Sequence, residues 1–200
     1  MSYTNGLDNP ELYFQTKLYT GNGVSGTAIT FDGSENMQPD WIWGSCRSHG
    51  DNNWISDSVR GNTKAIFSNT TGTEETSSER IKSFDSDGFT IGDAGDTNTN
   101  TRTFVTWNWK AGGSASSNSN GSITSSVSAN TTAGFSIVSY TGAGSQATVG
   151  HGLGVAPSVL IHKKRTTSAE AWSVFHQSVG ITKRMILSST EAETADASPQ

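Results

Sequence analysis

Two tryptophans, Trp54 and Trp172, are candidate glycan contacts, because an exposed indole can stack on a sugar ring. They occupy matching places in two similar stretches of chain, which predicts that they are equivalent residues. As candidate glycan contacts they would need to be exposed. The favoured alternative places both rings in the core of a β-sandwich, where aromatic side chains supply much of the buried area.

An acidic stretch at residues 85–88, Asp-Ser-Asp-Gly, is similar to the start of a calcium loop. Such a loop needs further oxygen ligands and a glutamate near its end. The strand-like residues 89–91 follow instead, so a hairpin turn with solvated aspartates is the favoured interpretation.

Three histidines in the second half, His151, His162 and His176, offer a possible zinc site. The corresponding part of the first half has no histidine at these places, which favours structural roles. Cys46 and His49 are close in sequence, but a local pair is weak support for a nucleophile. We therefore expect no catalytic residue, no metal ligand and no bound cofactor, and we expect that the protein is not an enzyme.

The elements around these residues repeat along the chain. Three segments of the first half return in the same order about 120 residues later, which is the spacing of whole domains rather than of a short solenoid repeat. The pairs are LYTGNG (18–23) with SYTGAG (139–144), PDWIW (39–43) with PSVLI (157–161), and SVRGNTK (58–64) with SVGITK (178–183).

The second copy lacks counterparts of the strand-like segments at 83–91 and 103–110. A β-domain without its last strands would expose apolar faces and sheet edges. The sequence therefore predicts a second repeat that is incomplete and belongs to a longer chain, and the alternative is a smaller, divergent second domain. In the segment 103–110, Phe104, Thr106 and Asn108 are predicted to face one way and Val105, Trp107 and Trp109 the other.

Composition predicts an all-β fold. Glycine is frequent at 22 residues, charged residues make up only 16%, and six Trp, eight Phe and four Tyr lie within strand-like runs. Short strands separated by turns predict tandem β-sandwich domains of jelly-roll-like form. The predicted divisions are an extended N-terminal docking arm (1–11), a first repeat (12–110), a flexible Gly/Ser/Asn linker (111–120) and the incomplete second repeat (121–200). Candidate contacts of the arm are Tyr3, Leu7, Pro10 and Leu12.

Charge and hydropathy exclude several classes of function. The net charge of −5 and the lack of a basic patch argue against nucleic-acid binding. No apolar run reaches the roughly 20 residues of a membrane span, so we expect no membrane insertion. The first residues lack the pattern of a signal peptide, so synthesis in the cytoplasm without an export signal is expected.

Several strings of this sequence resemble a repeat family found in virion proteins of marine tailed phages, of the cyanophage and pelagiphage type. They are LYFQTKLYTGNG (12–23), QPDW (38–41), DSVRG (57–61), SFDSDGF (83–89), WNWKAG (107–112) and GHGLGVAP (150–157). The first copy lacks the GHGLG string and has ITFDG (29–33) in its place.

The resemblance implies a structural protein of the phage virion, a tail fibre or tail-associated appendage. Such a protein would be anchored to other tail proteins through its N-terminal part, would form a homotrimer, and would support host attachment. One alternative is a carbohydrate-binding module or polysaccharide depolymerase that contacts host surface glycan. Another is a capsid decoration or tail adaptor protein.

Overall fold

The structure is a computed structural model that describes residues 7–166 and 170–195. These residues form antiparallel β-sheets with one four-residue α-helix, α1 (Gly95–Asn98), which confirms the predicted all-β fold. We call the part containing β1 to β9 the first unit. Its strands are β1 (Phe14–Thr20), β2 (Thr27–Ile29), β3 (Trp41–Cys46), β4 (Trp54–Asp57), β5 (Lys64–Phe67), β6 (Glu75–Thr76), β7 (Ile81–Asp85), β8 (Gly88–Ile91) and β9 (Thr103–Trp109).

The remaining strands make up the second unit. They are β10 (Ser116–Asn118), β11 (Ser125–Asn130), β12 (Phe135–Tyr140), β13 (Val159–His162), β14 (Ser173–His176), β15 (Lys183–Ile186) and β16 (Thr194–Ala195). Within the described residues, no helix is long and apolar enough to cross a membrane.

The first unit is a sandwich of two sheets. A six-stranded sheet of order β1-β9-β3-β4-β5-β6 lies over a three-stranded sheet of order β2-β8-β7. Strand residues alternate between the two faces of a sheet, and the inner face of the larger sheet contributes Ile42 and Trp54 to the core, where Phe89 meets them. In β9 the buried residues alternate with partly exposed ones, which confirms the two predicted faces of this strand.

Gly44 of β3 makes room for the largest side chain of this core. Its neighbour across the strand pair is Trp54, and a Cβ built on Gly44 would overlap the indole ring. The position therefore requires glycine because of close approach, and Trp54 is fixed over the β3 backbone.

The second unit repeats part of the first. Its sheet order β13-β14-β15-β16 matches β3-β4-β5-β6, with the same antiparallel pairing. The turns match as well, since Gly61 N–H donates to the Asp57 carbonyl at 3.0 Å and Gly180 N–H to the His176 carbonyl at 3.2 Å. The repeat that the sequence predicts is thus also a repeat of backbone hydrogen bonds.

The register of these strands corrects the equivalence of the two tryptophans. Trp54 pairs with Phe67 in the first unit, and Ser173 pairs with Ile186 in the second. Ser173 therefore takes the place of Trp54, and Trp172 lies one position earlier. Because a shift of one residue moves a side chain to the other face of a strand, the two indoles point to opposite faces.

The predicted flexible linker is wrong, because residues 111–120 contain β10, which pairs with β11. Ala111 is buried and its N–H donates to Asp40 Oδ2 at 2.8 Å, while Gly112 N–H donates to Ser128 Oγ at 2.9 Å. Glycine and serine predict flexibility only where their backbone groups lack partners, and here ladder bonds and side-chain oxygens fix the segment.

The predicted extended arm is also wrong for its last residues. A 3-10 turn spans Pro10–Leu12, and the Glu11 carboxylate accepts hydrogen bonds from the Ser34 backbone and hydroxyl at 2.7 Å. This turn belongs to the first unit because those bonds fasten it there. Of the docking candidates, Pro10 and Leu12 lie in the turn, Leu7 is half-buried and Tyr3 lies outside the described residues.

Candidate functional site

The outer face of the six-stranded sheet, which points away from the inner core, carries four tryptophans. Trp43 pairs with Trp107 and Trp41 with Trp109 across the ladder between β3 and β9. The Trp43 and Trp107 rings meet edge to face with centroids 6.2 Å apart. All four side chains are partly exposed, so this face is an apolar surface of the kind that forms contacts with another element.

The second unit covers part of this outer face. Trp172 is 1% exposed and packs in a cluster with Ile55 and Ile66 of β4 and β5. Its Nε1–H donates to the Phe67 carbonyl at 2.8 Å, so its polar group is satisfied as well. At the other side Phe135 stacks on Trp109 with ring centroids 6.0 Å apart. The two units are therefore held together by the buried Trp172 and by the stacking of the partly exposed Phe135 and Trp109.

Neither predicted glycan contact is available to a sugar. Trp54 is 0% exposed in the inner core, where its Nε1–H donates to the Asp96 carbonyl at 3.2 Å. Trp172 is buried between the units. The prediction is wrong for both residues because their indoles supply packing area, and the structure does not bring them together at one surface.

A charged network also joins the units. Glu74 Oε2 accepts from Arg60 at 3.1 Å and from Arg165 of the second unit at 2.9 Å, and Arg60 also binds the buried Asp57. Partial burial raises the pKa of Glu74, but the hydrogen bonds from Arg165 and Arg60 outweigh it and leave the pKa below its ordinary value. Glu74 is therefore a carboxylate at neutral pH that links the two units.

Two depressions remain open on this side of the molecule. The first, which we call the tryptophan pocket, is lined by Trp43, Trp107 and Trp109 and is almost wholly apolar. The second, the polar depression, lies between the units and shares Trp43. Its other lining residues are Asn53, Ser68, Asn69, Leu187, Ser188, Ser189 and Thr190. An aromatic face beside amides and hydroxyls is the chemistry that binds a neutral polar ligand.

The acidic stretch forms the predicted hairpin. Asp85 pairs with Gly88 at the end of β7 and β8, and its carboxylate accepts hydrogen bonds from Ser83 at 2.6 Å and from Thr90 at 2.7 Å. The second aspartate, Asp87, accepts from the backbone N–H of residue 37. These carboxylates therefore serve the turn itself.

The three histidines lie in different surroundings. His162 Nε2 is 3.0 Å from Tyr140 Oη, and burial lowers the pKa of His162. His151 Nδ1 accepts from the backbone of Leu153, and His176 makes a similar local bond. Among the described residues, no group of three or more His, Cys, Asp or Glu side chains is placed to hold a metal ion.

Cys46 and His49 are not a catalytic pair. The buried Cys46 contacts Ser48 at 3.9 Å, and His49 Nδ1 lies 2.8 Å from a carboxylate oxygen of Asp51 instead. A nucleophile requires a base within hydrogen-bond reach, and the base here faces another partner.

The outer face has a signal in the sequence that does not depend on Trp54 or Trp172. Trp-x-Trp occurs twice, as Trp41-Ile42-Trp43 and as Trp107-Asn108-Trp109. In a strand this spacing puts both rings on one face. Two such strands as neighbours produce an aromatic surface, but their adjacency depends on topology, because β9 enters the sheet between β1 and β3.

The fold and this surface define an all-β protein of repeated units with an aromatic interface between them. A family described as a domain of unknown function, DUF7483, matches residues 9–199, and the chain belongs to that family. The match spans both units. No curated protein and no solved structure matches the chain.

Proposed function

We propose that the protein is a structural component of a phage virion, a tail fibre or tail-associated appendage that supports host attachment. The observation that carries this proposal is the way the two units are joined. A buried tryptophan and a shared ion network connect them, where a flexible linker was expected. Such a connection holds successive domains at a fixed angle, which is what a load-bearing appendage requires.

The resemblance to repeat proteins of marine tailed phages supports the virion location. In this proposal the N-terminal part binds other tail proteins, three copies form the fibre, and the protein has no catalytic role. The alternative of a capsid decoration or tail adaptor protein has the same fold requirements and differs in its place on the particle.

Antibody labelling of particles tests the location. Antibodies raised against the purified chain are bound to phage particles from a lysate and located by gold labelling in the electron microscope. We expect label on the tail. Label spread over the capsid would favour the decoration protein, and particles without label would overturn the virion proposal.

The oligomeric state is tested separately. Light scattering of the purified chain is expected to give three times the chain mass of 21.1 kDa. A mass equal to one chain would contradict the homotrimer, and it would leave the result of the labelling experiment unaffected.

A second candidate function is glycan binding, and the polar depression favours it. Trp43 offers a partly exposed ring, and Asn53 and Asn69 place amides beside it. Sugars are bound by this combination of an aromatic face with neutral hydrogen-bonding groups. The described lining residues contain no carboxylate, while polysaccharide cleavage commonly uses a pair of them, so we propose binding for this site and not cleavage.

Titration with purified host surface polysaccharide tests this candidate. We expect Trp43→Ala to reduce the affinity at least about tenfold, because the stacking surface is lost. Leu18→Ala is the control, since Leu18 is an exposed apolar residue of β1 that lines neither depression, and its loss should leave affinity unchanged. Equal affinities of wild type and Trp43→Ala would reject the depression as a glycan site.

A further inference from the structure

Asparagine followed by glycine occurs three times in the chain, at residues 5–6, 22–23 and 120–121. In this dipeptide the glycine nitrogen can attack the side-chain amide of the asparagine, because glycine has no Cβ to hinder the approach. The first pair lies outside the described residues. The other two lie in loops whose hydrogen bonds differ, and this difference determines which pair can react.

The loop at Asn22 and Gly23 is fixed by the buried Asn98. Gly23 N–H donates to the Asn98 carbonyl at 2.8 Å, and Asn98 Oδ1 accepts from the N–H groups of Asn22 and Gly23 at 2.9 and 3.3 Å. The Asn22 side chain is fixed as well, since its Oδ1 accepts from Val24 N–H at 2.8 Å and from the Thr27 hydroxyl at 3.0 Å. Attack by the Gly23 nitrogen therefore requires several hydrogen bonds to break first.

The loop between β10 and β11 leaves both reacting groups of its pair free. Asn120 is exposed, and its side chain makes no hydrogen bond to any described residue. The N–H of Gly121 also has no partner in the described part of the chain. The nucleophile and the electrophile are thus neighbours, and no bond to the fold holds them apart.

We propose that Asn120 is a site of spontaneous covalent modification, at which the chain converts this asparagine to aspartate and isoaspartate. The Gly121 N–H loses its proton to hydroxide, and the nitrogen attacks Cγ of Asn120. A bond forms between these two atoms, the bond from Cγ to Nδ2 breaks, and Nδ2 takes a proton from water and leaves as ammonia. Water then hydrolyses the resulting succinimide ring, so water is taken up, ammonia is released and nothing is oxidised or reduced.

The two products differ in the course of the backbone. Hydrolysis at Cγ gives aspartate with an unchanged backbone, whereas hydrolysis at the main-chain carbonyl carbon gives isoaspartate, whose backbone passes through Cβ and Cγ. Both products add a negative charge, and only isoaspartate lengthens the loop by a methylene group. The modification is independent of the proposed virion role.

The residues on both sides of Asn120 are tied to a neighbouring segment. Asn118 Oδ1 accepts from Asn120 N–H at 2.8 Å and packs closely on Gly150, where a Cβ would overlap it. On the other side, the N–H groups of Ser122 and Thr148 each donate to the other residue's hydroxyl at 2.9 Å. A longer backbone at Asn120 strains both sets of contacts, so isoaspartate should loosen this part of the second unit.

Peptide mass spectrometry of the folded chain, incubated at mildly alkaline pH, tests the proposal. Trypsin cleaves after Lys17 and Lys110 and so places Asn22 and Asn120 in different peptides. A sample digested without incubation corrects for conversion during digestion. We expect Asn120 to be converted at least about tenfold faster than Asn22, because the hydrogen bonds of Gly23 must open first. Equal rates at both sites, or no conversion at Asn120, would overturn the proposal.

The same incubation in guanidinium chloride tests whether the fold causes the difference. In the unfolded chain both pairs lose their partners, so the rates at Asn22 and Asn120 should become similar. If Asn120 reacts faster than Asn22 by the same factor with and without denaturant, the local sequence and not the hydrogen bonding sets the rates, and the proposal is wrong.

Two variants test the effect on the second unit. Asn120→Gln removes the reactive pair, because ring closure is slower with the longer side chain, and its melting temperature should stay constant during incubation. The melting temperature of the wild type should fall as isoaspartate accumulates. Freshly purified Asn120→Asp carries the charge without the longer backbone and should melt like the unmodified wild type. A wild type that keeps its melting temperature after conversion to isoaspartate would contradict the predicted strain.

Discussion

Two equivalent strands, β3 of the first unit and β13 of the second, differ strongly in how far their apolar side chains are buried. Ile42 of β3 is 0% exposed, between the two sheets of the sandwich. Its counterpart Leu160 is 45% exposed, because the described part of the second unit has neither a covering sheet nor a strand beside β13. The same local strand pattern therefore gives a core element or an open edge, depending on what the rest of the unit supplies.

The largest expected effect comes from the residue that joins the units. Trp172→Ala should reduce the free energy of unfolding by about 3–5 kcal/mol, since a fully buried indole leaves a cavity. Urea denaturation measures it. Trp107→Ala is the comparison, because Trp107 is only partly buried and should lose less. If Trp172→Ala is as stable as the wild type, the interface between the units is not what holds them together.

Ile42→Ala and Leu160→Ala probe the two strands directly. We expect a loss of about 2–5 kcal/mol for the buried Ile42 and less than about 1 kcal/mol for the exposed Leu160. Both values come from urea denaturation under the same conditions. A large loss for Leu160→Ala would mean that β13 is covered, and would remove the difference between the strands.

Gly44→Ala tests the close packing of the Trp54 ring on β3. The equivalent strand β13 has His162 in place of Gly44. The added methyl group overlaps Trp54, so we expect a loss of about 1–3 kcal/mol, measured by thermal unfolding. Gly50→Ala is the matched control, since a Cβ at Gly50 meets nothing within 4 Å. Equal melting temperatures of the two variants would contradict the close packing.

The smallest expected effect concerns the ion network between the units. The pKa of Glu74 lies below its ordinary value of 4.5 in the folded protein, so its charge stabilises the fold above that pH. This contribution is lost as the pH falls below 4.5 through the folded pKa. Glu74→Gln should therefore be less stable than the wild type by about 1 kcal/mol at neutral pH, because the network is partly exposed.

Denaturation of both proteins over a series of acidic pH values tests the direction of this pH dependence. As the pH falls below 4.5 and through the folded pKa of Glu74, the wild-type carboxyl becomes neutral like the amide of the variant, so the two free energies of unfolding should converge. A difference that stays constant over the whole series would show that Glu74 acts through packing and not through its charge.

Much of the strand pattern could be predicted from the sequence, because alternation of apolar and polar residues determines which face each side chain takes. This succeeded for Phe104 and Trp107 of β9. It failed for Trp172, because a register shift of one residue, which sequence similarity alone does not reveal, reverses the face. It failed for the segment 111–120 because partners distant in sequence, such as Asp40, supply its hydrogen bonds.

Among the described residues, β13 is paired on one side only, whereas its equivalent β3 is paired on both. Residue-resolved amide hydrogen exchange of the isolated chain tests it most directly. We predict slow exchange at Trp41 and Trp43, whose strand is paired on both sides, and fast exchange at Val159 and Ile161. Equal protection at all four amides would contradict the claim, since another element would then occupy the edge of β13.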